Sequence, residues 1–491
     1  MYDVLVIGAG IIGSFLAHEL SHFSLTCAVI EKESDVANQI TMANSAIIHS
    51  GHDPKEGTLK AKLNIRGNQL YKKICEDLSV SFLQTSALMV AVSEEEVSIL
   101  EDIYEKAKKR NIDANLLSRE DALKKEPNLS DGVLKALELP TTGIVYPWEV
   151  ALALMEEAVL NGVELFLKEE VTAIEQRDAF FVVKTSKKEF HSRYVINAAG
   201  LFADEVGELL FGKKQFTIQP KRGEYYVLEK CKEPYVKSVI YPVPTNKGKG
   251  VLVVPTTHGN ILLGPNSELV TEKDAINCTG EALDYVKEQI EKIVKNVPYD
   301  KVIRSFAGIR PTGNQGDFLI EESEAAKGFF QVACIDSPGL ASAPAIAEHV
   351  MKELIVPAFL RDDGKQIQRI TKENYKKRKR PLVFSEMTVE EKNEMVARDP
   401  RFGSIICRCE QISEGEILEA IHGIIGATTV KAVKKRVRPG MGKCQGGFCE
   451  PRVVAILARE LGIEESEVRF DNEYSKMLWK DAKRGNSYDG S

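Results

Sequence analysis

Long apolar runs are missing from this 491-residue sequence. None approaches the roughly 20 residues that cross a bilayer, and the chain opens on a strand-like run instead of a charged segment followed by an apolar signal stretch. The expected location is cytoplasmic, with any membrane association peripheral and through a partner only. An excess of charge of one sign is missing too. The 65 basic and 72 acidic side chains leave a formal charge of -7, without the broad positive field that nucleic acid needs, so no nucleic-acid partner is expected. Cysteine is sparse over most of the chain: Cys27, Cys75, Cys231, Cys278 and Cys334 stand singly and read as small buried hydrophobes. Disorder signatures are also lacking, and the length calls for several packed units instead of one core.

What is present begins at the amino terminus. The apolar run Tyr2 to Ile7 leads through Gly8-Ala9-Gly10-Ile11-Ile12-Gly13 into Ser14 to Leu20, which has helical apolar spacing. Strand, tight turn and helix in this order suit a dinucleotide: the first glycine permits the turn, the second admits a pyrophosphate, and the third lets helix and strand pack closely. A second strand, Thr26 to Ile30, ends at Glu31, at the distance expected of a carboxylate that accepts from ribose hydroxyls. The fingerprint alone leaves NAD and FAD open.

The rest of the chain does not return to a simple strand–helix repeat. Asn161 to Phe166, Val171 to Glu175 and Phe180 to Thr185 read as short strands, and Tyr194 to Gly200 as a buried strand ending in small residues that let the chain pass close under a cofactor. Glu94 to Lys109 has helical spacing, and the stretch from Phe216 to Leu263 alternates as an antiparallel sheet does. Strand Phe329 to Ile335 runs into Ser337-Pro338-Gly339-Leu340-Ala341 and a helix through Ala345 to Leu354, a second helix amino terminus suited to an anion or carbonyl.

After Arg361 a basic run, Lys372 to Arg380, reads as a solvated linker, and helical spacing resumes from Thr388 to Arg398. The remaining cysteines then come together as Cys407-Arg408-Cys409 and Cys444-Gln445-Gly446-Gly447-Phe448-Cys449. Four thiolates in two close pairs can surround tetrahedral zinc or a 2Fe-2S cluster. The first pair is tighter than a zinc-ribbon knuckle, and the glycines of the second expose N–H groups that can bond bridging sulfides.

The fingerprint with Glu31, the stretch Asn44 to Gly51, the run Asn197-Ala198-Ala199-Gly200, and Gly308-Ile309-Arg310-Pro311 ahead of Pro338-Gly339-Leu340 together resemble the D-amino-acid oxidase superfamily of flavoproteins. Within it the chain is most similar to the large subunits of anaerobic glycerol-3-phosphate dehydrogenases, with the L-2-hydroxyglutarate dehydrogenases close by. The cysteine segment resembles bacterioferritin-associated ferredoxin, although its second pair is wider than in the free ferredoxin. The resemblance implies an α/β chain, α+β overall. Residues 1–75, 145–215 and 300–365 would form a Rossmann-like FAD domain, and 76–144 with 216–299 an antiparallel-sheet substrate domain. A linker at 366–400, a 2Fe-2S domain at 401–470 and a tail at 471–491 would follow.

It also implies roles. FAD would lie against Gly8, Gly10, Ile12, Gly13, Glu31, Asn44, Ser45, Val171, Ala199, Gly200, Gly339, Leu340 and Ala341, and the cluster would be held by Cys407, Cys409, Cys444 and Cys449. His49 is the expected base or flavin contact, with His52 second. Arg310 would grip the acid group of a small hydroxy substrate, helped by Arg222 and His258. The reaction implied is oxidation of glycerol 3-phosphate to dihydroxyacetone phosphate, with electrons leaving to an accepting partner. An L-2-hydroxyglutarate or other hydroxy- or amino-acid dehydrogenase is the alternative. A noncatalytic flavin and iron–sulfur relay, the reading from another class, would need no substrate pocket.

Overall fold

The computed structural model describes residues 1–478 other than 232, 245–249, 365 and 372. They divide into two compact units, residues 1–32 with 36–378, and residues 33–35 with those from 379 onward.

The first unit is organised by two large sheets. In the eight-stranded one, Tyr2–Ile7 lies between Cys27–Glu31 and Glu189–Asn197 and pairs in parallel with both. Val4, Leu5 and Val6 have no exposed surface, since a run that is apolar on both faces must be covered on both. Glu164–Leu167 and Phe329–Ala333 extend the parallel pairing, and the antiparallel strands Val171–Gln176 and Phe181–Thr185 complete that side. Helix Ile11–Leu20 buries Phe15, Leu16 and Leu20, as the sequence spacing predicts.

The nine-stranded sheet is mostly antiparallel, its spine being Ile218–Leu228 against Val302–Gly313. Here Ala87–Ala91 is apolar without alternation because both faces are buried: Ala87, Met89 and Ala91 pack with Tyr225 and Tyr241, while Leu88 and Val90 pack with Val286 and Ile290 of helix Gly280–Ile293. The flavin and substrate portions expected as separate domains belong to a single compact unit. At Gly308 the spine meets the loop that carries Asn44, and a Cβ there would drive into the Ala43 carbonyl. Only a glycine lets the two come so close.

In the second unit, helices Glu414–Ile421, Val430–Val437 and Glu450–Leu461 enclose a core in which Ile417, Val433 and Leu457 are fully buried. Ser413 and Glu416 form a capping box at the first of these helices, which fixes its start.

Two expectations about the connecting segments are corrected. The stretch expected as a linker is divided, residues up to 378 belonging to the first unit and those from 379 to the second. Its basic run is not wholly solvated: the Arg378 side chain is 4 % exposed, donates to Leu78 O and pairs with Glu156 at 2.7 Å. A guanidinium leaves water when carboxylate and carbonyl acceptors satisfy its fork of donors. The expected tail also begins too early. Lys431 pairs with Asp471 and Met477 packs against the core of the second unit, while residues 479–491 lie outside the described ones. Arg378→Ala leaves the Glu156 carboxylate without its cation, and urea unfolding is expected to show a loss of about 3 kcal/mol.

Candidate active site

A cavity of about 1200 Å³ runs through the first unit, at or above the upper end for small-molecule sites and large enough for a dinucleotide together with a substrate. One end is the glycine turn. Gly8 has φ +105°, and a Cβ there would sit 2.5 Å from Ala198 O, so backbone passes where any side chain would block. Gly10 caps the helix and Gly13 lies inside it, packed on the turn. Ala9 N–H donates to Glu31 Oε2 at 2.7 Å, and Ile11 N–H to Thr41 Oγ1 at 2.9 Å. Glu31 is thereby held at the cavity wall beside the helix amino terminus, the arrangement a ribose and pyrophosphate require. Ile12, Val171, Ala199 and Gly200 also reach the wall.

The Asn44 side chain folds its own loop, donating to Ile40 O and Thr41 O and accepting from Ala46 N–H. Ser45 Oγ meets Tyr225 Oη at 3.0 Å, tying this loop to the overlying sheet. At the far wall helix Gly339–Val350 begins, with Leu340 and Ala341 lining the cavity. Tyr71, fully buried, donates to Leu340 O at 2.8 Å and fixes that first turn, whose amides suit an electron-rich group.

The sheet spine supplies the cavity's chemistry. Its register opposes Lys221 to Arg310, Gly223 to Gly308, and Tyr225 to Phe306, so side chains at 221, 223, 225, 306, 308 and 310 share one face. Tyr225 and Phe306 stack at 4.6 Å and 5°. Lys221 and Arg310 line the cavity. Arg310 is held only by long bonds to Ser267 Oγ (3.3 Å) and Asn266 O (3.4 Å), and among the described residues neither cation pairs with a carboxylate. Gly223 leaves the guanidinium room, for a Cβ there would lie 2.8 Å from Arg310 Nη2.

Lys221 is a cavity-lining cation that the sequence reading did not single out, whereas Arg222, expected as a second cation, does not line the cavity. Successive strand residues point to opposite faces, and Arg222 points away from Arg310, pairing with Glu224 (3.1 Å) and Glu268 (2.7 Å) while 6 % exposed. Its role is to neutralise buried Glu224. The alternation through 221, 223 and 225 was visible, but which face looks onto the cavity depends on the partner strand.

His49 stands on the cavity wall, its Nδ1 3.0 Å from Tyr241 Oη. Burial pushes the Tyr241 phenol up, so it remains a protonated partner. His52 and His258 are not among the cavity's lining residues. His52 Nδ1 bonds Ser50 Oγ at 3.1 Å and its ring lies 6.1 Å from that of Tyr241, and His258 lies edge-on to Tyr146 at 4.7 Å.

In the second unit the four cysteines converge as two pairs. Cys409 Sγ lies 3.7 Å from Cys444 Sγ, and Cys407 bonds Cys449. The Cys449 thiol and the N–H groups of Gly440, Glu410 and Cys409 pull the Cys407 thiol down to about 6 against the effect of burial. Amide donors turned on thiolates fit a cluster whose sulfurs carry negative charge.

The chain matches the family model described as FAD dependent oxidoreductase over residues 3–353 and that of a BFD-like [2Fe-2S] binding domain over residues 405–459. It is 47 % identical over 480 residues to a glycerol 3-phosphate dehydrogenase of Caloramator mitchellensis, covering 97 % of this chain and 98 % of that one. A human mitochondrial L-2-hydroxyglutarate dehydrogenase is 36 % identical over 290 residues, 56 % of this chain and 62 % of the relative. Among solved structures it is similar to a dithionite-reduced L-alpha-glycerophosphate oxidase from Mycoplasma pneumoniae with FAD bound, with TM-score 0.72 and 30 % identity over 78 % of this chain and 99 % of that one. Replacing Cys407 or Cys449 by Ser is expected to deplete the purified protein of iron and acid-labile sulfide while leaving its flavin content unchanged.

Proposed function

The chain belongs to the FAD dependent oxidoreductase family and carries a 2Fe-2S binding domain, and from that premise we propose that it oxidises glycerol 3-phosphate to dihydroxyacetone phosphate and delivers the electrons to a separate acceptor. When bound, FAD supplies the two-electron oxidant and the 2Fe-2S cluster a one-electron carrier.

The observation that carries this reading is the cross-strand pair of Lys221 and Arg310 on the cavity face. Directly opposed residues hold their Cβ atoms about 5 Å apart, so one anion can reach both side chains. A phosphate dianion concentrates its charge there, and the planar Arg310 fork bonds two of its oxygens. L-2-hydroxyglutarate, which carries the same total charge on two separated carboxylates, matches the paired cations less well. A cavity of this size that carries Lys221 and Arg310 on its wall is also more than a noncatalytic relay needs.

Tyr225, backed by its stacking on Phe306, is an aromatic residue on the cavity wall four residues along the strand from Lys221. In this reading His49, on the cavity wall, takes the substrate hydroxyl proton. The contact between its Nδ1 and Tyr241 Oη orients the ring. The full-length match to a dehydrogenase, against 78 % coverage by the oxidase structure, supports a protein acceptor over oxygen.

Anaerobic mixing should bleach the flavin fastest with glycerol 3-phosphate; no bleaching with this compound, or faster bleaching with L-2-hydroxyglutarate, sinks the assignment. Lys221→Ala and Arg310→Ala should each raise the substrate concentration for half-maximal bleaching by about 30-fold or more, since truncating one side of a charged hydrogen-bonded contact costs roughly 2–5 kcal/mol. His49→Ala should slow the limiting bleaching rate about 10²- to 10⁴-fold with little change in that concentration.

A further inference from the structure

The loops that carry the four cysteines display a surface that the substrate reading does not use. Phe448 stands between Cys444 and Cys449 and is 83 % exposed. Cys409, within 3.7 Å of Cys444, is itself exposed. A single exposed apolar side chain is unremarkable on its own, but the charges around this one are sorted. Arg408, between the first two cysteines, Lys443, beside the third, and Arg452, three residues beyond the fourth, are all exposed.

The acids on the same loops are withdrawn. Glu410 is 9 % exposed and pairs with Arg438 at 3.1 Å, and the half-buried Glu450 carboxylate folds over Gly446. Among the described residues of these loops, the exposed charged side chains beside Phe448 are thus the positive ones Arg408, Lys443 and Arg452. Apolar centre and charged rim are the anatomy of a protein interface. Phe448 projects outward instead of lining a hollow, which suits a protein surface better than a small molecule.

We propose that this face docks an acidic protein carrier of single electrons. The proposal rests on the oxidoreductase reading above and names the kind of acceptor it leaves open. Each substrate oxidised yields two electrons, so two carrier molecules are each reduced by one. Arg408, Lys443 and Arg452 steer the carrier's negative face, and Phe448 is the contact that closes out water. Such encounters are brief and salt-sensitive, with a small buried area.

Binding of oxidised flavodoxin, a strongly acidic one-electron carrier, to the immobilised holoenzyme tests this, with basic cytochrome c as the control. Flavodoxin should bind and weaken steeply as salt rises, and cytochrome c should not bind. Combined Arg408→Glu, Lys443→Glu and Arg452→Glu should weaken flavodoxin about 100-fold at low salt and let cytochrome c bind; Phe448→Ala should weaken flavodoxin about tenfold. Iron content and anaerobic bleaching by glycerol 3-phosphate should be unchanged in every variant, so a wrong substrate would appear in bleaching and a wrong docking face in binding. If the triple variant loses iron, Arg452→Glu alone, outside both cysteine pairs, is read instead and should still weaken binding severalfold. Absence of flavodoxin binding by the unaltered protein, or equal affinity in the charge-reversed protein, overturns the proposal.

Discussion

The antiparallel pairing of Ile218–Leu228 with Val302–Gly313 is the interaction on which the candidate site depends. Eleven paired positions set Lys221 against Arg310 and Tyr225 against Phe306, and a one-residue slip would send each side chain to the opposite face. The sheet is pressed onto the loop before Asn44 at Gly308, where no larger residue fits, and Ser45 bonds Tyr225 across the same gap. The cations are therefore held over the cavity by the register of a sheet and not by a flexible loop, and a binding geometry set by rigid elements is more precise.

Charge is distributed in the first unit so that, among the described residues, these cations keep no carboxylate of their own. Arg222, one residue from Lys221, is committed to Glu224 and Glu268, and Lys60 to Asp336 at 2.6 Å. Buried charge elsewhere in the unit is neutralised locally, as with Arg378 and Glu156. Lys221 and Arg310 remain on the cavity wall beside Tyr225, without a carboxylate partner among the described residues. The second unit uses the same device outwardly. Its acids turn inward while Arg408, Lys443 and Arg452 remain exposed around the thiols.

The FAD dependent oxidoreductase portion and the 2Fe-2S portion have cores of their own, and each prepares its cofactor position with backbone. In the first unit the turn at Gly8 and the amides of helices Ile11–Leu20 and Gly339–Val350 face the cavity. In the second, amides of Gly440, Glu410 and Cys409 are turned on Cys407. Backbone donors suit both tasks because they are held by secondary structure and cost little further ordering when a charged group arrives.

Much of this was legible in the residues. The glycine turn, Glu31, the helix start at Gly339 and the two cysteine pairs depend on short-range rules, in which a turn, a helix terminus or a ligand pair is specified within a few residues, and the structure brings the first three to one cavity and the cysteines together. Arg310 was legible as a cation beside those elements. The cavity-facing position of Lys221 in place of Arg222 and the burial of Arg378 were not. Which face or environment each takes is decided by partners 89 and 222 positions away: Arg310 for Lys221 and Glu156 for Arg378. Local sequence determined the pieces that hold a dinucleotide and a cluster; long-range strand register and burial decided which charged side chains face the chemistry.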